Sequence, residues 1–187
     1  MRLGSKKLIF GMSLLAGFLL VLGASGYDYW QHRPKTHISL LKEDIGLSAQ
    51  IGVDDIPEIA AKGYVTIIDF RPDGEASDQP SSKEIGTTAQ AAQLHFFYIP
   101  VPHGDAVPAD AINALSKAMA TSPKPILLYC RSGRRAARTW SLAEAVMPDG
   151  LEADAIKAAV KSAGHSVEDL VPAINARIAS RNKNQGA

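Results

Sequence analysis

Hydrophobic positions follow two alternating patterns along the chain after residue 38. Short, apolar, β-branched runs bounded by turn residues predict buried strands at about residues 65–70, 95–99 and 125–129. Stretches with helical period lie between and after these runs. This alternation is typical of an α/β fold with a mostly parallel central sheet flanked by helices.

Signals at the helix ends support the same interpretation. Ser81 or Ser82 is suited to cap a helix with Glu84 in its first turn, and Gly63 is suited to end the helix before it. Ser166 is a candidate cap for the last helix, with Asp169 three residues on as a residue of the helix start. The predicted helices cover about residues 54–62, 82–94, 108–121, 134–146, 151–163 and 167–181.

An uncharged apolar run at residues 8–23 follows the basic residues Arg2, Lys6 and Lys7. Basic residues stay on the cytoplasmic side of a membrane, so the run predicts a transmembrane helix that places the rest of the chain on the periplasmic side. The run is near the lower length limit for spanning, and the small residues after it suit a processing enzyme. A cleaved signal peptide is therefore the alternative to an uncleaved anchor, and it would release a secreted or periplasmic protein. We favour the anchor.

The chain accordingly divides into five predicted parts. A polar stretch with a proline separates the membrane segment from the folded region, and the last residues are polar. The parts are a basic cytoplasmic N-terminus (1–7), a signal anchor or signal peptide (8–26), a linker (27–37), the α/β domain (38–181) and a flexible tail (182–187).

Composition limits the function classes. The 187 residues are 46% hydrophobic and carry a formal net charge of +1, so the domain can bury a core and nothing in its total charge predicts a nucleic-acid partner. The chain has one cysteine, which excludes an internal disulfide and argues against a thiolate-rich zinc site. The histidines show no metal-ligand spacing. We expect neither a metal nor a cofactor.

That one cysteine, Cys130, lies in the segment with the clearest chemistry. It ends a predicted strand, a tight turn containing Gly133 follows, and a helix begins at about residue 134. Free backbone N–H groups and the positive end of the helix dipole point into such a loop, so the loop favours an anion. The same field favours a thiolate, and we expect a lowered pKa for Cys130.

A thiolate at this position can attack phosphorus or sulfur while the loop holds the substrate oxygens. Arg135, at the exit of the loop, is our candidate for a guanidinium that grips two atoms at once. The loop residues between the two are predicted to bind substrate: Arg131, Ser132, Gly133 and Arg134. The alternative interpretation is a buried, inert cysteine among solvated arginines.

The chain resembles the bacterial beta-lactamase hydrolase-like, protein-phosphatase-like domain family, which is also labelled a sulfurtransferase. The resemblance extends from about residue 48 to the last helices. It rests on Cys130-Arg-Ser-Gly-Arg-Arg135, Ile68-Asp-Phe-Arg-Pro-Asp-Gly-Glu75, Gln79-Pro-Ser-Ser82 and Tyr98-Ile-Pro-Val-Pro102. The resemblance implies a cysteine-phosphatase fold of the dual-specificity type, a thiophosphoryl-cysteine intermediate and no metal.

The resembling fold also takes a general acid from the loop after the preceding strand, which indicates Asp105, with His103 as the neighbouring alternative. Arg71, Asp73 and Glu75 follow a strand end, at the edge where ligands of α/β sheets bind, and Arg71 and Asp73 are predicted to contact substrate. The alternative for Asp105 is a turn residue. For Arg71 and Asp73 it is a structural turn with an ion pair.

Two features separate this chain from a typical cysteine phosphatase. Four residues separate Cys130 from Arg135, where phosphatases usually have five, and four is the spacing associated with rhodanese-type sulfur transfer. When the loops are aligned on Arg135, Ala136 stands where cysteine phosphatases and rhodanese-type sulfurtransferases commonly have a serine or threonine.

The leading hypothesis is a phosphoester hydrolase, the second is a sulfurtransferase acting through a cysteine persulfide, and the third is an inactive anion- or partner-binding module at the membrane. The expected substrate is a phosphorylated or sulfur-donating small molecule or protein.

Overall fold

A computed structural model of the protein describes residues 36–104 and 106–186. The predicted N-terminal transmembrane helix, at residues 8–26, lies outside the described residues. Within the part of the chain that is described, no helix is both long and apolar enough to cross a membrane.

Five strands form one sheet in the order β1-β2-β5-β3-β4. Strands β2 to β5 are parallel where they pair, and β1 runs antiparallel to β2. The prediction of a mostly parallel sheet is therefore confirmed. The strands are Ile38–Lys42 (β1), Ile45–Ser48 (β2), Thr66–Asp69 (β3), His95–Tyr98 (β4) and Ile126–Tyr129 (β5).

Helices cover both faces of this sheet, as predicted. The α-helices of the described residues are Ile56–Ala61 (α1), Ser82–Ala91 (α2), Ala109–Thr121 (α3), Arg134–Glu144 (α4), Ala153–Ser162 (α5) and Val171–Gln185 (α6), with 3-10 turns at Val53–Asp55 and Glu168–Leu170. The larger core packs α3, α4, α5 and α6 on one face, and the smaller core packs α1 and α2 on the other. Because side chains alternate along a strand, Tyr129 enters the smaller core and Cys130 enters the larger one.

Two predicted helix ends have the expected geometry. Ser81 caps α2, with its Oγ accepting from the Glu84 N–H at 3.2 Å while Glu84 accepts from the Ser81 N–H at 2.8 Å. Gly63 follows α1 with φ of +88°, and its N–H donates to the Ala60 carbonyl at 2.9 Å. These local signals depend on residues close in sequence, which is why sequence analysis found them.

The sequence analysis placed no strand in the hairpin of β1 and β2. Both strands are short, and Gly46 interrupts the apolar pattern of β2. This glycine is required because a Cβ at Gly46 would overlap with the side chain of Tyr64. The need for Gly46 therefore comes from a contact between distant parts of the chain.

The last helix also differs from the prediction. The α-helix begins at Val171 after a 3-10 turn, and Ser166 does not cap it, since its Oγ accepts only a long bond of 3.4 Å from the Glu168 N–H. The helix continues to Gln185, four residues beyond the expected end at residue 181, and Gln185 Nε2 donates to the Pro148 carbonyl at 2.7 Å.

Candidate active site

Cys130 stands at the carboxyl end of β5, immediately before the loop that leads into α4. Its side chain belongs to the larger core, and the residue is only 1% exposed. Gly133 turns the chain into the helix with φ of +89°, a conformation that favours glycine. A Cβ at Gly133 would lie 2.8 Å from Nε2 of His165, so this position has no room for a side chain.

The backbone of the loop leaves N–H groups unused while its carbonyls are engaged. The Arg131 carbonyl accepts from the Gln50 N–H at 3.2 Å, and the Gly133 carbonyl accepts from the Ala137 N–H at 2.9 Å. The N–H groups of Ser132, Gly133 and Arg135 donate to no described residue. A turn of unengaged N–H groups at a helix N-terminus is suited to hold an anion.

Arg135 lies beside Cys130 with a side chain only 7% exposed. Its Nη1 donates to Glu75 Oε1 at 2.5 Å and to the Val101 carbonyl at 2.8 Å, and its Nη2 donates to Glu75 Oε2 at 2.7 Å. A guanidinium has five N–H donors, so one edge, formed by Nε and the second Nη2 hydrogen, is still available to an anion beside Cys130.

The ionisation of this pair follows from its contacts. Burial tends to lower the pKa of Arg135, but the hydrogen bonds to Glu75 and the nearby Cys130 sulfur outweigh it and raise that pKa. The hydrogen bond from Arg135, helped by Arg71, lowers the pKa of Glu75 in spite of its partial burial. Both groups are therefore charged at neutral pH.

Arg71 joins this ion pair to the other side of the cysteine loop. Its Nε donates to Glu75 Oε2 at 3.1 Å, and its Nη1 donates to Gln50 Oε1 at 2.7 Å. The Gln50 N–H in turn donates to the Arg131 carbonyl. These contacts form a chain of hydrogen bonds from the loop, through Gln50, Arg71 and Glu75, to Arg135, so the guanidinium of Arg71 orients other residues.

The polar residues after β3 have clear structural partners. The Asp69 carboxylate accepts from the Arg71 N–H at 2.8 Å, and burial raises the pKa of Asp69 to about 6 even though this bond opposes the change. Asp73 was predicted to bind substrate. Its two carboxylate oxygens accept from the N–H and hydroxyl of Ser82, each at 2.7 Å, and its N–H donates to the Tyr98 hydroxyl.

Four of the predicted site residues line one pocket of about 270 Å³. We call it the loop pocket, and it is lined by His103, Gly104, Arg131, Ser132, Arg134 and Arg135. Cys130, Gly133, Arg71 and Asp73 are not among the lining residues. The predicted general acid, Asp105, lies outside the described residues, although its neighbours His103 and Gly104 line the pocket.

Sequence analysis placed Glu75 at the ligand edge of the sheet but did not predict its pairing with Arg135, which is 60 positions away, and it gave Gln50 no role. Gln50 follows β2, and the rule that functional side chains collect at the carboxyl ends of parallel strands would have indicated it if that strand had been predicted. Among the described residues, no three His, Cys, Asp or Glu side chains lie close enough together to hold a metal ion.

Comparison with known proteins identifies the family to which this chain belongs. Residues 37–147 match the family model described as the beta-lactamase hydrolase-like protein, phosphatase-like domain. Beta-lactamase hydrolase-like proteins from Xylella fastidiosa and Agrobacterium fabrum are 34% and 33% identical to this chain over 106 residues, which is 57% of the chain. The match spans only 24% of the length of those relatives.

Solved structures share the fold. A protein from Neisseria meningitidis, described as a candidate phosphatase, is 28% identical, with a TM-score of 0.64 over 75% of this chain and 97% of its own. A DUF442 protein from Shewanella putrefaciens is 15% identical, with a TM-score of 0.60 over 82% of this chain and 97% of its own. At that identity the second likeness supports the fold alone. The predicted cysteine-phosphatase-like α/β fold is confirmed.

Proposed function

This chain belongs to the phosphatase-like domain family of the beta-lactamase hydrolase-like proteins, and from that premise we propose that it hydrolyses phosphomonoesters with Cys130 as the nucleophile. The observation that carries the proposal is the position of Arg135. Glu75 accepts from Nη1 and Nη2 of its guanidinium, which lies close to the Cys130 sulfur, and the loop that joins the two residues has unengaged N–H groups.

In the first step, the thiolate of Cys130 attacks the phosphorus atom of the ester. A bond forms between sulfur and phosphorus while the bond to the leaving oxygen breaks. The N–H groups of Ser132, Gly133 and Arg135, together with the free edge of the Arg135 guanidinium, bind the non-bridging oxygens as their charge develops. This binding is strong because Arg135 is buried and held in place before the substrate arrives.

A proton must reach the leaving oxygen in the same step. We propose that Asp105 donates it, since its neighbours His103 and Gly104 line the loop pocket. His103 is the alternative donor. In the second step, water attacks phosphorus and gives a proton to the conjugate base left on the acid of the first step, the sulfur–phosphorus bond breaks, and phosphate leaves with the thiolate restored. Ala136 provides no hydroxyl to assist the departing sulfur, so we expect the second step to limit turnover.

Sulfur transfer is the second candidate, and the loop of four residues between Cys130 and Arg135 favours it. The thiolate would take the outer sulfur of thiosulfate, forming a persulfide and releasing sulfite. Cyanide would then remove that sulfur as thiocyanate and restore the thiolate. A short loop is compatible with a smaller transferred group.

The full-length chain tests these candidates directly. Purified protein is expected to release phosphate from an aryl phosphate, and Cys130→Ser is expected to reduce the rate by at least about 10⁴-fold, because a nucleophile acts as a unit with its supporting groups. Thiocyanate production from thiosulfate and cyanide, with no phosphate release, would replace the hydrolase by the sulfurtransferase. Phosphate binding with neither activity would leave the inactive anion-binding module.

We also propose that the domain is held at the periplasmic side of a membrane by residues 8–26. The support is the basic triplet before the apolar run and the polar linker after it. A C-terminal fusion to a reporter that is active only outside the cytoplasm is expected to be active and to fractionate with membranes. Activity of a fused reporter that works only in the cytoplasm would contradict this orientation. Recovery of the protein in the soluble periplasmic fraction would indicate signal cleavage.

A further inference from the structure

Three arginines line the loop pocket, namely Arg131, Arg134 and Arg135, and no described Asp or Glu is among its lining residues. One of the three, Arg135, is paired with Glu75. A second pocket is lined by two lysines and three acids, and there the charges pair, as in Lys42 with Glu144 and Lys124 with Asp44. With a net charge of only +1 for the chain, the excess of cations in the loop pocket is local.

Arg131 is the residue that contributes most clearly to this excess. It is exposed, and it makes no hydrogen bond or ion pair through its side chain with any described residue. The buried arginines of the domain behave differently, because each is paired with a carboxylate. These are Arg71 and Arg135 with Glu75, Arg138 with Asp169, and Arg181 with Glu152.

The transferred phosphoryl group does not need Arg131. Its non-bridging oxygens can be bound by the unengaged N–H groups of the loop and by the free edge of the Arg135 guanidinium. Arg131 lines the same pocket from an exposed position, where the part of the substrate beyond the phosphoryl group would pass. An exposed guanidinium pays little desolvation cost and attracts anions into a cleft.

We propose that the substrate is a phosphomonoester whose leaving group carries a second anionic group, a phosphate or a carboxylate, which Arg131 binds at the mouth of the loop pocket. This inference rests on the proposed hydrolase and narrows its substrate class. Arg131 then determines specificity, while Arg135 acts on the reacting phosphoryl group.

The kinetic test uses the full-length chain with phenyl phosphate and its 3- and 4-carboxylated analogues. At low salt, kcat/KM for the better analogue is expected to exceed that for phenyl phosphate by about 5- to 10-fold, and the advantage should shrink at high salt. Arg131→Gln should remove most of the advantage, mainly through KM. Arg177→Gln is the matched control, because Arg177 on α6 bonds to the Ala173 carbonyl and does not line the pocket. Equal kcat/KM for all substrates, or an advantage that survives Arg131→Gln, would overturn the inference.

A binding test separates this inference from the proposed function. Calorimetry on full-length Cys130→Ser protein compares inorganic phosphate with pyrophosphate and needs no turnover. Pyrophosphate is expected to bind about 5- to 10-fold more tightly, and Arg131→Gln in the same background should abolish the difference. If the Cys130→Ser protein shows this preference but the unaltered protein releases no phosphate, the hydrolase proposal fails and anion recognition by Arg131 stands. If the unaltered protein releases phosphate but the Cys130→Ser protein binds the two anions equally, only the proposed substrate class is overturned.

Discussion

Arg135 and Arg138 lie one turn apart on α4, and each makes a two-bond ion pair with a carboxylate from a distant part of the chain. Arg138 Nη1 and Nη2 donate to the two oxygens of Asp169 at 2.8 and 2.7 Å, much as Arg135 does to Glu75. Both side chains are nearly inaccessible to solvent, with 7% of Arg135 and 2% of Arg138 exposed. Residue type, burial and pairing therefore do not separate them.

What separates the two arginines is their surroundings. Arg135 lies beside Cys130, lines the loop pocket, and is paired with a carboxylate that is itself held by Arg71. Arg138 does not line that pocket, and its partner Asp169 is 58% exposed. The two ion pairs on this helix therefore differ in what surrounds them, because Arg135 lies beside a cysteine and lines a cavity whereas Arg138 does not line that cavity.

The largest difference is expected when each arginine is replaced by lysine. Arg135→Lys removes the planar fork and should lower kcat by about 10²- to 10³-fold, as expected for loss of a transition-state donor. Arg138→Lys should leave kcat within a few-fold while lowering the free energy of unfolding by about 1–3 kcal/mol. Steady-state kinetics and chemical denaturation of both variants measure this. Equal losses of kcat would remove the distinction between the two arginines.

Glu75→Gln tests whether the position of Arg135 depends on its partner. The guanidinium loses its charged anchor, so kcat should fall by about 10- to 100-fold as the free edge shifts away from the reacting group. The pair also stabilises the fold, and the pKa of Glu75 lies below its usual value of 4.5. The unaltered chain should therefore have a larger free energy of unfolding than Glu75→Gln at pH values above 4.5. This difference should disappear as the pH falls through the lowered pKa of Glu75. A kcat unchanged from the unaltered chain would show that Arg135 needs no such anchor.

Asp69→Asn replaces a carboxylate that can ionise by a neutral amide, whose oxygen can still accept the hydrogen bond from the Arg71 N–H. Burial raises the pKa of Asp69 from 3.8 to about 6, so the ionised carboxylate destabilises the folded state above that pH. The asparagine variant should gain about 1–2 kcal/mol of unfolding free energy at pH 8 and lose this gain as the pH falls from about 6 to 4. Thermal melts across that range measure the effect. A gain independent of pH would contradict the assignment to ionisation.

The smallest effect is expected for Asp169→Asn, the counterpart of Glu75→Gln. The hydrogen bond from Arg138 lowers the pKa of Asp169, but the carboxylate is largely exposed, so solvent screens the pair. We expect a stability loss below about 1 kcal/mol at pH 7 and unchanged kcat. The loss should vanish when the pH falls through the lowered pKa. A large loss of kcat would show that Asp169 supports the reaction as Glu75 does.

Sequence alone predicted the features of this molecule that are encoded locally. The strand that ends at Cys130, the turn at Gly133 and the helix after it form one continuous segment, and the position of Arg135 follows from them. The same reasoning predicted Arg131, Ser132 and Arg134 in the site, and they line the pocket with Arg135. Each prediction needed only neighbouring residues and the known geometry of a strand followed by a helix.

Contacts between distant segments were not predictable in the same way. The link from Gln50 through Arg71 and Glu75 to Arg135 joins three strand ends, and one of those strands was missed because Gly46 breaks its pattern. Asp169 was taken for a helix-start residue, whereas its carboxylate pairs with Arg138, 31 positions away. Such pairs depend on which charged side chains the fold brings together, and sequence periodicity does not encode this.

The proposed hydrolysis requires Cys130 to form a covalent bond to phosphorus during turnover. Rapid acid quenching of the full-length protein with an aryl phosphate, followed by peptide mass spectrometry, detects that bond. We expect a phosphoryl group on Cys130 that accumulates during turnover and is absent from Cys130→Ser protein. Steady phosphate release with an unmodified Cys130 at every time point, or with the phosphoryl group on another residue, would contradict it.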